Sequence, residues 1–281
     1  MDAALPSDLA LVADRLDREL AGLGSVLVAF SGGADSALLL AAAVRTLGVD
    51  NVAAATAVSA SLPDAEKGPA EAFTSGLGVR HVWPRTDEMS RDGYRANDGD
   101  RCYFCKAELL DVLTPVALEF GLAHVATGTN ADDAIAGFRP GIRAAIERGA
   151  VSPLREAGMT KQNVRDLSRA WNLPTWDKPA AACLSSRVAY GIAITPVRLA
   201  RVERAEADLR LVFAEAGLDV RNLRVRDLGE RACVEVDAEF AGAASDLPAV
   251  ADAVRAAGFA EVEVDRLGFR SGSMNEALVA R

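Results

Sequence analysis

The residues with the clearest chemical potential are Phe30-Ser31-Gly32-Gly33-Ala34-Asp35-Ser36, set between a short apolar run and a helical pattern. Adjacent glycines let backbone N–H groups converge on an anion without interference from Cβ atoms. Ser31 and Ser36 add hydroxyl donors, and a helix starting here turns its positive end toward the loop. Asp35 would repel phosphate by itself, so its expected use is to hold a Mg²⁺ that bridges phosphate oxygens. No Gly-Lys-Ser/Thr follows, so the Walker A pattern is absent. A loop that grips pyrophosphate without that lysine suits cleavage between the α and β phosphates and transfer of AMP. The competing reading is an ordinary Gly turn capped by Ser. Six matching positions in a strand–loop–helix context weigh against it.

Sulfur chemistry is the second theme. Cys102 and Cys105 form a CxxC at a helix start, Cys183 lies in an irregular stretch, and Cys233 sits in an alternating strand pattern. Cys233 reads as a small buried hydrophobe. For Cys102 and Cys105, a redox dithiol, half a zinc site, cluster ligation and simple packing all compete. The chain has two histidines, His81 and His124, and neither completes a recognisable zinc spacing. Thiolates from Cys102, Cys105 and Cys183 would suit a [4Fe–4S] cluster with one iron open to an extra sulfide. Lys178 and Arg187 flank Cys183, where they are expected to favour its thiolate.

Other polar candidates lie where ligands belong. Gly128-Thr129-Asn130-Ala131-Asp132-Asp133 follows a strand end. Asp132 and Asp133 either join Asp35 on Mg²⁺ or form an acidic helix N-terminus. Arg224 and Arg226 project from one strand face and suit a substrate phosphate, with a solvated face as the alternative. Arg270-Ser-Gly-Ser273 is a second possible anion nest. Trp83, Trp171 and Trp176 read as packing residues.

The elements that must position these groups alternate. Strand patterns at Val26–Phe30, Asn51–Ser59, Val79–Trp83 and Ala123–Thr127 are separated by helical patterns, the first spanning Ser36–Leu47 and stopped by Gly48. Asp64–Leu77 is a poorer helix interrupted by Gly68-Pro69, Arg85–Asp100 is a polar loop, and a helix runs from the CxxC to Phe120 through Pro115. Short apolar strands alternating with helices predict an α/β, Rossmann-like parallel sheet covered on both faces, with ligands at the carboxyl ends of its strands. Helices are further predicted at Asp8–Ala21, at Thr160–Trp171 with a Thr cap, and at Thr195–Ala216. The last carries Arg/Glu pairs at helical spacing and reads as a solvated face. Strands at Leu223–Arg226, Ala232–Val236 and Val262–Arg266 with a helix at Leu247–Ala257 predict a smaller α+β domain. The expected division is 1–185 and 186–281.

Composition narrows the function classes. The chain has 281 residues, half of them hydrophobic, and a net charge of -9. It is long enough for a substantial core, and no apolar stretch approaches the ~20 residues of a bilayer span. Met1–Leu20 lacks the order of a signal peptide, so a cytoplasmic protein is expected. Four cysteines in a reducing compartment favour metal or catalysis over disulfides. Two histidines leave little material for a Ser-His-Asp triad, and the acidic balance argues against nucleic-acid binding.

Ser-Gly-Gly-x-Asp-Ser after a first strand resembles the PP-loop ATP pyrophosphatase superfamily, whose members adenylate an oxygen and let a nucleophile displace AMP. Within it, Arg101-Cys-Tyr-Phe-Cys-Lys106, Gly128-Thr-Asn-Ala-Asp-Asp133, Arg139-Pro-Gly141, Lys178-Pro-Ala-Ala-Ala-Cys-Leu-Ser-Ser-Arg187 and Gly268-Phe-Arg-Ser-Gly-Ser-Met-Asn275 resemble the LarE family of ATP-dependent sulfur transferases of nickel-pincer cofactor synthesis. The resemblance runs from the first strand to the C-terminus and rests on the order and combination of short motifs. It implies ATP and Mg²⁺ as cofactors, held through Ser31, Gly32, Gly33, Asp35, Ser36, Gly128, Thr129 and Asn130. It implies pyridinium-3,5-biscarboxylic acid mononucleotide as substrate, its phosphate on Arg187, Arg224 and Arg226, and Glu206 near the substrate. Cys183 is then either the sulfur donor, left as dehydroalanine, or a ligand of a sulfide-delivering cluster, to which the three-cysteine set inclines. A homo-oligomer and a sulfide-donor protein are implied; membrane and nucleic-acid partners are not, and nickel is expected to bind downstream. The rival readings are a tRNA thiolase, an ammonia-using adenylating ligase, and a nucleotide sensor with a structural zinc ion.

Overall fold

In the computed structural model, which describes residues 5–135, 139–179, 183–270 and 274, the short apolar runs pair into a four-stranded, all-parallel sheet. Its strands are β1 (Val26–Ala29), β2 (Val52–Ala55), β3 (Arg80–Val82) and β4 (His124–Thr127), in the order β3-β2-β1-β4. β1 is central, with Val26 opposite Val52 on one side and His124 on the other. Alternation along β1 supplies both faces of the sheet. Val26 and Val28 join a core with α1 (Ser7–Leu23) and α2 (Ala34–Leu47), whereas Leu27 packs with Leu110, Leu113 and Ala117. In α1 the buried residues Leu9, Val12, Ala13, Leu16 and Leu20 form one stripe.

Between β2 and β3 the weak helical pattern resolves into a 3₁₀ turn, Asp64–Glu66, and α3 (Lys67–Gly76). Pro69 falls in the first turn of α3, where its missing N–H removes no intrahelical bond. The polar stretch expected as loop contains a 3₁₀ turn, Glu88–Ser90, and a short helix, Asp92–Ala96. The CxxC opens α4 (Arg101–Glu119), which runs through Pro115. Thr160 caps α5 (Lys161–Ala170) with a reciprocal capping box to Asn163.

The chain divides into two units. The first comprises Met1–Ser59, Asp64–Glu88 and Cys102–Ala181 and contains the parallel sheet. The second comprises Ala60–Pro63, Met89–Arg101 and Ala182–Arg281. It carries α6 (Pro196–Glu215) and a three-stranded sheet of β5 (Arg224–Asp227), β6 (Arg231–Glu235) and β7 (Glu261–Val264). β5 is antiparallel to β6, and β6 is parallel to β7 across α7 (Pro248–Ala256). The second unit thus joins two earlier segments to the chain from Ala182 onward. No helix among the described residues is long and apolar enough to cross a membrane.

Candidate active site

Phe30 leaves β1 with its N–H donated to the Ala55 carbonyl, 2.8 Å away. Gly32 then takes φ +72°, a region that disfavours any side chain. Gly33 precedes α2 with extended backbone and no side-chain cap, so the first N–H groups of the helix are not used by a capping side chain. The two serines close the loop on itself. Ser36 Oγ donates to the Gly33 carbonyl at 3.1 Å, lies 3.1 Å from Ser31 Oγ and accepts from Ser31 N–H at 3.2 Å. Gly128, at the end of β4, touches this turn: a Cβ there would sit 2.9 Å from Ser36 N and 3.2 Å from the Asp35 carbonyl carbon. Only a glycine lets the two segments come this close.

Charges from distant parts of the chain reach the same loop. Lys178 Nζ donates to the Gly32 carbonyl at 3.0 Å and to Glu66 Oε2 at 2.5 Å. Lys161 Nζ pairs with Asp35 Oδ2, and Asn130 Nδ2 donates to Asp35 Oδ1 at 3.0 Å. Two ammonium groups, each balanced by a carboxylate, therefore border the loop. The Lys178 ammonium is held on the loop by Glu66 and the Gly32 carbonyl.

The acidic pair has other work. Asp133 N–H donates to Asn130 Oδ1 at 3.1 Å while Asp133 Oδ2 accepts from Asn130 N–H at 3.2 Å, a reciprocal cap on the short helix Ala131–Ile135. Asp132 Oδ2 accepts from the Lys161 N–H at 2.8 Å. The expected trio of Asp35, Asp132 and Asp133 is not assembled, because helix capping and the start of α5 claim two of its members. Thr129 Oγ1 lies 3.3 Å from Thr127 Oγ1.

Cys102 is exposed; Cys105, Cys183 and Cys233 are half-buried, and none of the four is in a disulfide. Desolvation lowers the pKa of Lys106, against the opposing pull of negative charge at Cys105, Cys102 and Asp133. The Cys233 thiol is pushed up to about 12 by burial and by the carboxylates of Glu263, Asp265 and Glu235, which suits an inert residue. Among the described residues no three His, Cys, Asp or Glu side chains are grouped to hold a metal ion. Cys102 and Cys105 belong to the first unit and Cys183 to the second.

In the second unit the three arginines are buried, not solvated. Arg187 makes a two-pronged pair with Glu206, at 2.9 and 3.1 Å, and also donates to the Cys183 carbonyl at 3.0 Å. Its charge is thus balanced by Glu206, which also accepts the Val225 N–H at 3.1 Å. Arg226 pairs with Glu235 at 2.7 and 3.0 Å. Arg224 donates to the Leu223 carbonyl at 2.7 Å and lies 5.2 Å over the Phe269 ring. Burial, then the neighbouring Arg187, pushes its pKa down to about 10. Such a guanidinium gains from an arriving anion. On α6, Arg198 and Arg201 clamp fully buried Asp227, so the face expected in solvent is partly an ion-pair face. Of the second nest, Arg270 bonds Asp265 at 3.2 Å; Ser271–Ser273 lie outside the described residues.

Trp171 and Trp176 stack under Arg45 and Arg169, and Trp83 packs against His81. Lys161 was missed, although a lysine in the first turn of a helix opposes the helix dipole and signals some other use. Glu206 lies on the helix whose charge pattern reads as a solvated face, yet it is buried. It occupies the apolar stripe Leu199, Val202, Glu206, Leu209, Phe213, where a carboxylate needs a partner.

A four-stranded, all-parallel sheet with a glycine turn opening the helix after β1 defines a Rossmann-like α/β protein. No protein-family model matches the chain. It is 42% identical over 260 residues, 91% of this chain and 94% of the relative, to an uncharacterized protein of Synechocystis sp.. It is 36% identical over 263 residues, 92% of each chain, to the pyridinium-3,5-bisthiocarboxylic acid mononucleotide synthase of Lactiplantibacillus plantarum. It is 26% identical over 175 residues, 62% of this chain and 66% of the relative, to an uncharacterized protein of Methanocaldococcus jannaschii. The chain belongs to the pyridinium-3,5-bisthiocarboxylic acid mononucleotide synthase family, LarE.

Proposed function

We propose that the protein is a cytoplasmic, ATP-dependent sulfur transferase that converts the carboxylates of pyridinium-3,5-biscarboxylic acid mononucleotide to thiocarboxylates. The observation that carries this reading is the loop Ser31–Ser36: an open glycine turn with no lysine of its own, served by Lys161 and Lys178 from elsewhere. Backbone N–H groups of the turn, the Ser31 and Ser36 hydroxyls and the two ammonium groups meet the β and γ phosphates of ATP, while Gly128, Thr129 and Asn130 border the nucleotide. A substrate carboxylate attacks the α phosphorus, pyrophosphate leaves, and an acyl-adenylate forms. Asp35 is the carboxylate that would hold Mg²⁺, whose charge would offset that of the phosphates; Lys161 pairs with that carboxylate and Asn130 donates to it. Arg224, beside Arg187 and Arg226, receives the substrate phosphate.

The Cys183 thiolate then attacks the acyl carbon, an S–C bond forms, and AMP leaves with the broken C–O bond. Loss of the Cys183 Cα proton and scission of its Cβ–S bond release the thiocarboxylate and leave dehydroalanine at position 183. The alternative sulfur source is a [4Fe–4S] cluster on Cys102, Cys105 and Cys183. The described residues do not group such a ligand set, and iron with acid-labile sulfide analysis after anaerobic preparation tests it. A homo-oligomer and a sulfide-donor protein are carried from the family, the first checked by light scattering.

The test is incubation with MgATP and the biscarboxylate mononucleotide, following AMP, pyrophosphate and thiocarboxylate. Asp35→Ala is expected to abolish AMP formation. Cys183→Ala is expected to permit adenylation and block thiolation. A fully active Cys183→Ala protein would refute both sulfur routes.

A further inference from the structure

The segment that carries Cys183 has little regular structure of its own: a 3₁₀ turn, Leu184–Arg187, and an isolated bridge from Val188 to Asp227. Its shape is imposed by the two earlier segments that the second unit recruits. Leu184 N–H donates to the Ser61 carbonyl at 2.9 Å. The hydroxyls of Ser61, Tyr94 and Ser185 form a closed triangle, with Tyr94 OH 2.5 Å from each serine and the serines 3.0 Å apart. Three oxygens and three protons satisfy one another in such a ring. Arg101 donates through Nη1 to the Ser185 carbonyl at 2.8 Å and to Asn97 Oδ1 at 2.6 Å. Asn97, in the left-handed region at φ 57°, donates through Nδ2 to the carbonyls of Val188, Ala189 and Ile192 at 2.8–3.3 Å. Ser61, Tyr94, Asn97, Arg101 and Ser185 are each at most 5% exposed.

A dry polar network of this kind is costly unless every member is paired, and once paired it rigidifies what it holds. What it holds is the backbone directly after Cys183. We propose that Tyr94, Asn97 and Arg101 are positioning residues for Cys183: they fix its backbone so that the thiol captures the acyl-adenylate before water does. This rests on the sulfur-transfer reading above and adds to it the residues that couple adenylation to thiolation. None touches nucleotide or substrate in that reading; their action is through the cysteine. A misplacement of about 1 Å can cost a reaction about 100-fold.

The experiment uses the full chain and Tyr94→Phe, which removes one hydroxyl and leaves the ring in place. In a single turnover with MgATP and the biscarboxylate mononucleotide, the measured quantity is thiocarboxylate formed per AMP released. Tyr94→Phe is expected to lower that ratio at least about tenfold with AMP release within about twofold of native, because released adenylate is hydrolysed. Arg101→Met should behave likewise, because it removes both donated bonds while keeping an unbranched stem. Should Tyr94→Phe not fold, Ser61→Ala removes another corner of the triangle and is read the same way. A variant that loses AMP and thiocarboxylate in proportion, or that keeps the native ratio, overturns the proposal. Peptide-mapped iodoacetamide alkylation of Cys183 separates this from the reaction itself: the rate is expected to rise several-fold in Tyr94→Phe. A native rate there overturns the positioning role. A raised rate in a protein whose native form makes no AMP leaves the positioning role standing and removes the adenylation reading.

Discussion

Gly128 offers the sharpest single perturbation of the loop. Its backbone is not among the positive-φ residues, so alanine can adopt its conformation and the effect of Gly128→Ala is steric. The added methyl would lie 2.9 Å from Ser36 N, 3.1 Å from Ser36 Cα and 3.2 Å from the Asp35 carbonyl carbon. All three are backbone atoms in the first turn of α2, which is backed by fully buried Ala37, Leu38, Leu39 and Leu40. Relief requires the turn and the end of β4 to separate by about half an ångström, and overpacking of this kind costs about 1–3 kcal/mol. The same displacement moves the loop N–H groups off the phosphate. A hydrogen bond to a charged acceptor contributes about 1.5–3 kcal/mol, so ATP affinity should fall about 10- to 100-fold. Urea unfolding and calorimetric ATP titration measure the two effects separately. Gly22→Ala, at a helical site with nothing within 4 Å, is the control: it should leave ATP affinity unchanged and raise stability by up to about 1 kcal/mol. A Gly128→Ala protein with native stability and native ATP affinity would refute the packing of β4 against the loop.

Three other outcomes are expected. Lys178→Ala should weaken ATP binding at least about tenfold and leave stability within about 1 kcal/mol, because its partners Gly32 and Glu66 can turn to water; unchanged binding in a titration would exclude it from the phosphate site. Glu206→Ala removes the carboxylate that balances buried Arg187 and accepts the Val225 N–H, and should cost about 3–5 kcal/mol in urea unfolding, with Glu206→Gln milder. His81 is held neutral between Thr56 and Thr74, and burial lowers its pKa from 6.5 to about 4. Its native form resists the proton that the unfolded chain accepts below 6.5, so its contribution is complete at neutral pH and is lost as pH falls from 6.5 toward 4. With the ring half-buried, the change is of the order of 1 kcal/mol, and His81→Asn should flatten that part of the urea stability profile.

The loop and the sheet were legible because both are local. An apolar run, two glycines and a helical pattern within some twenty residues specify β1, the turn and α2, and the parallel sheet follows from repeating that rhythm. What surrounds the loop was not legible, because the charges arrive from far along the chain: Lys161 lies 126 residues from Asp35 and Lys178 lies 146 from Gly32. Periodicity carries no information at that range. Charge pattern misled on α6, where Arg/Glu pairs at helical spacing read as a solvated face while Glu206 stood in the apolar stripe. The stripe was the stronger signal, since a carboxylate among Val202, Leu209 and Phe213 has to meet a cation, and Arg187 is that cation. The same logic explains why the polar stretch before the CxxC looked featureless. Asn97, Arg101 and Tyr94 have no period to follow; the first two satisfy backbone carbonyls of 185–192 and Tyr94 meets the Ser185 hydroxyl, in a segment with little secondary structure to satisfy itself. A functional segment without its own ladder must borrow hydrogen bonds from elsewhere, and in this chain the lender is the stretch that precedes Cys102.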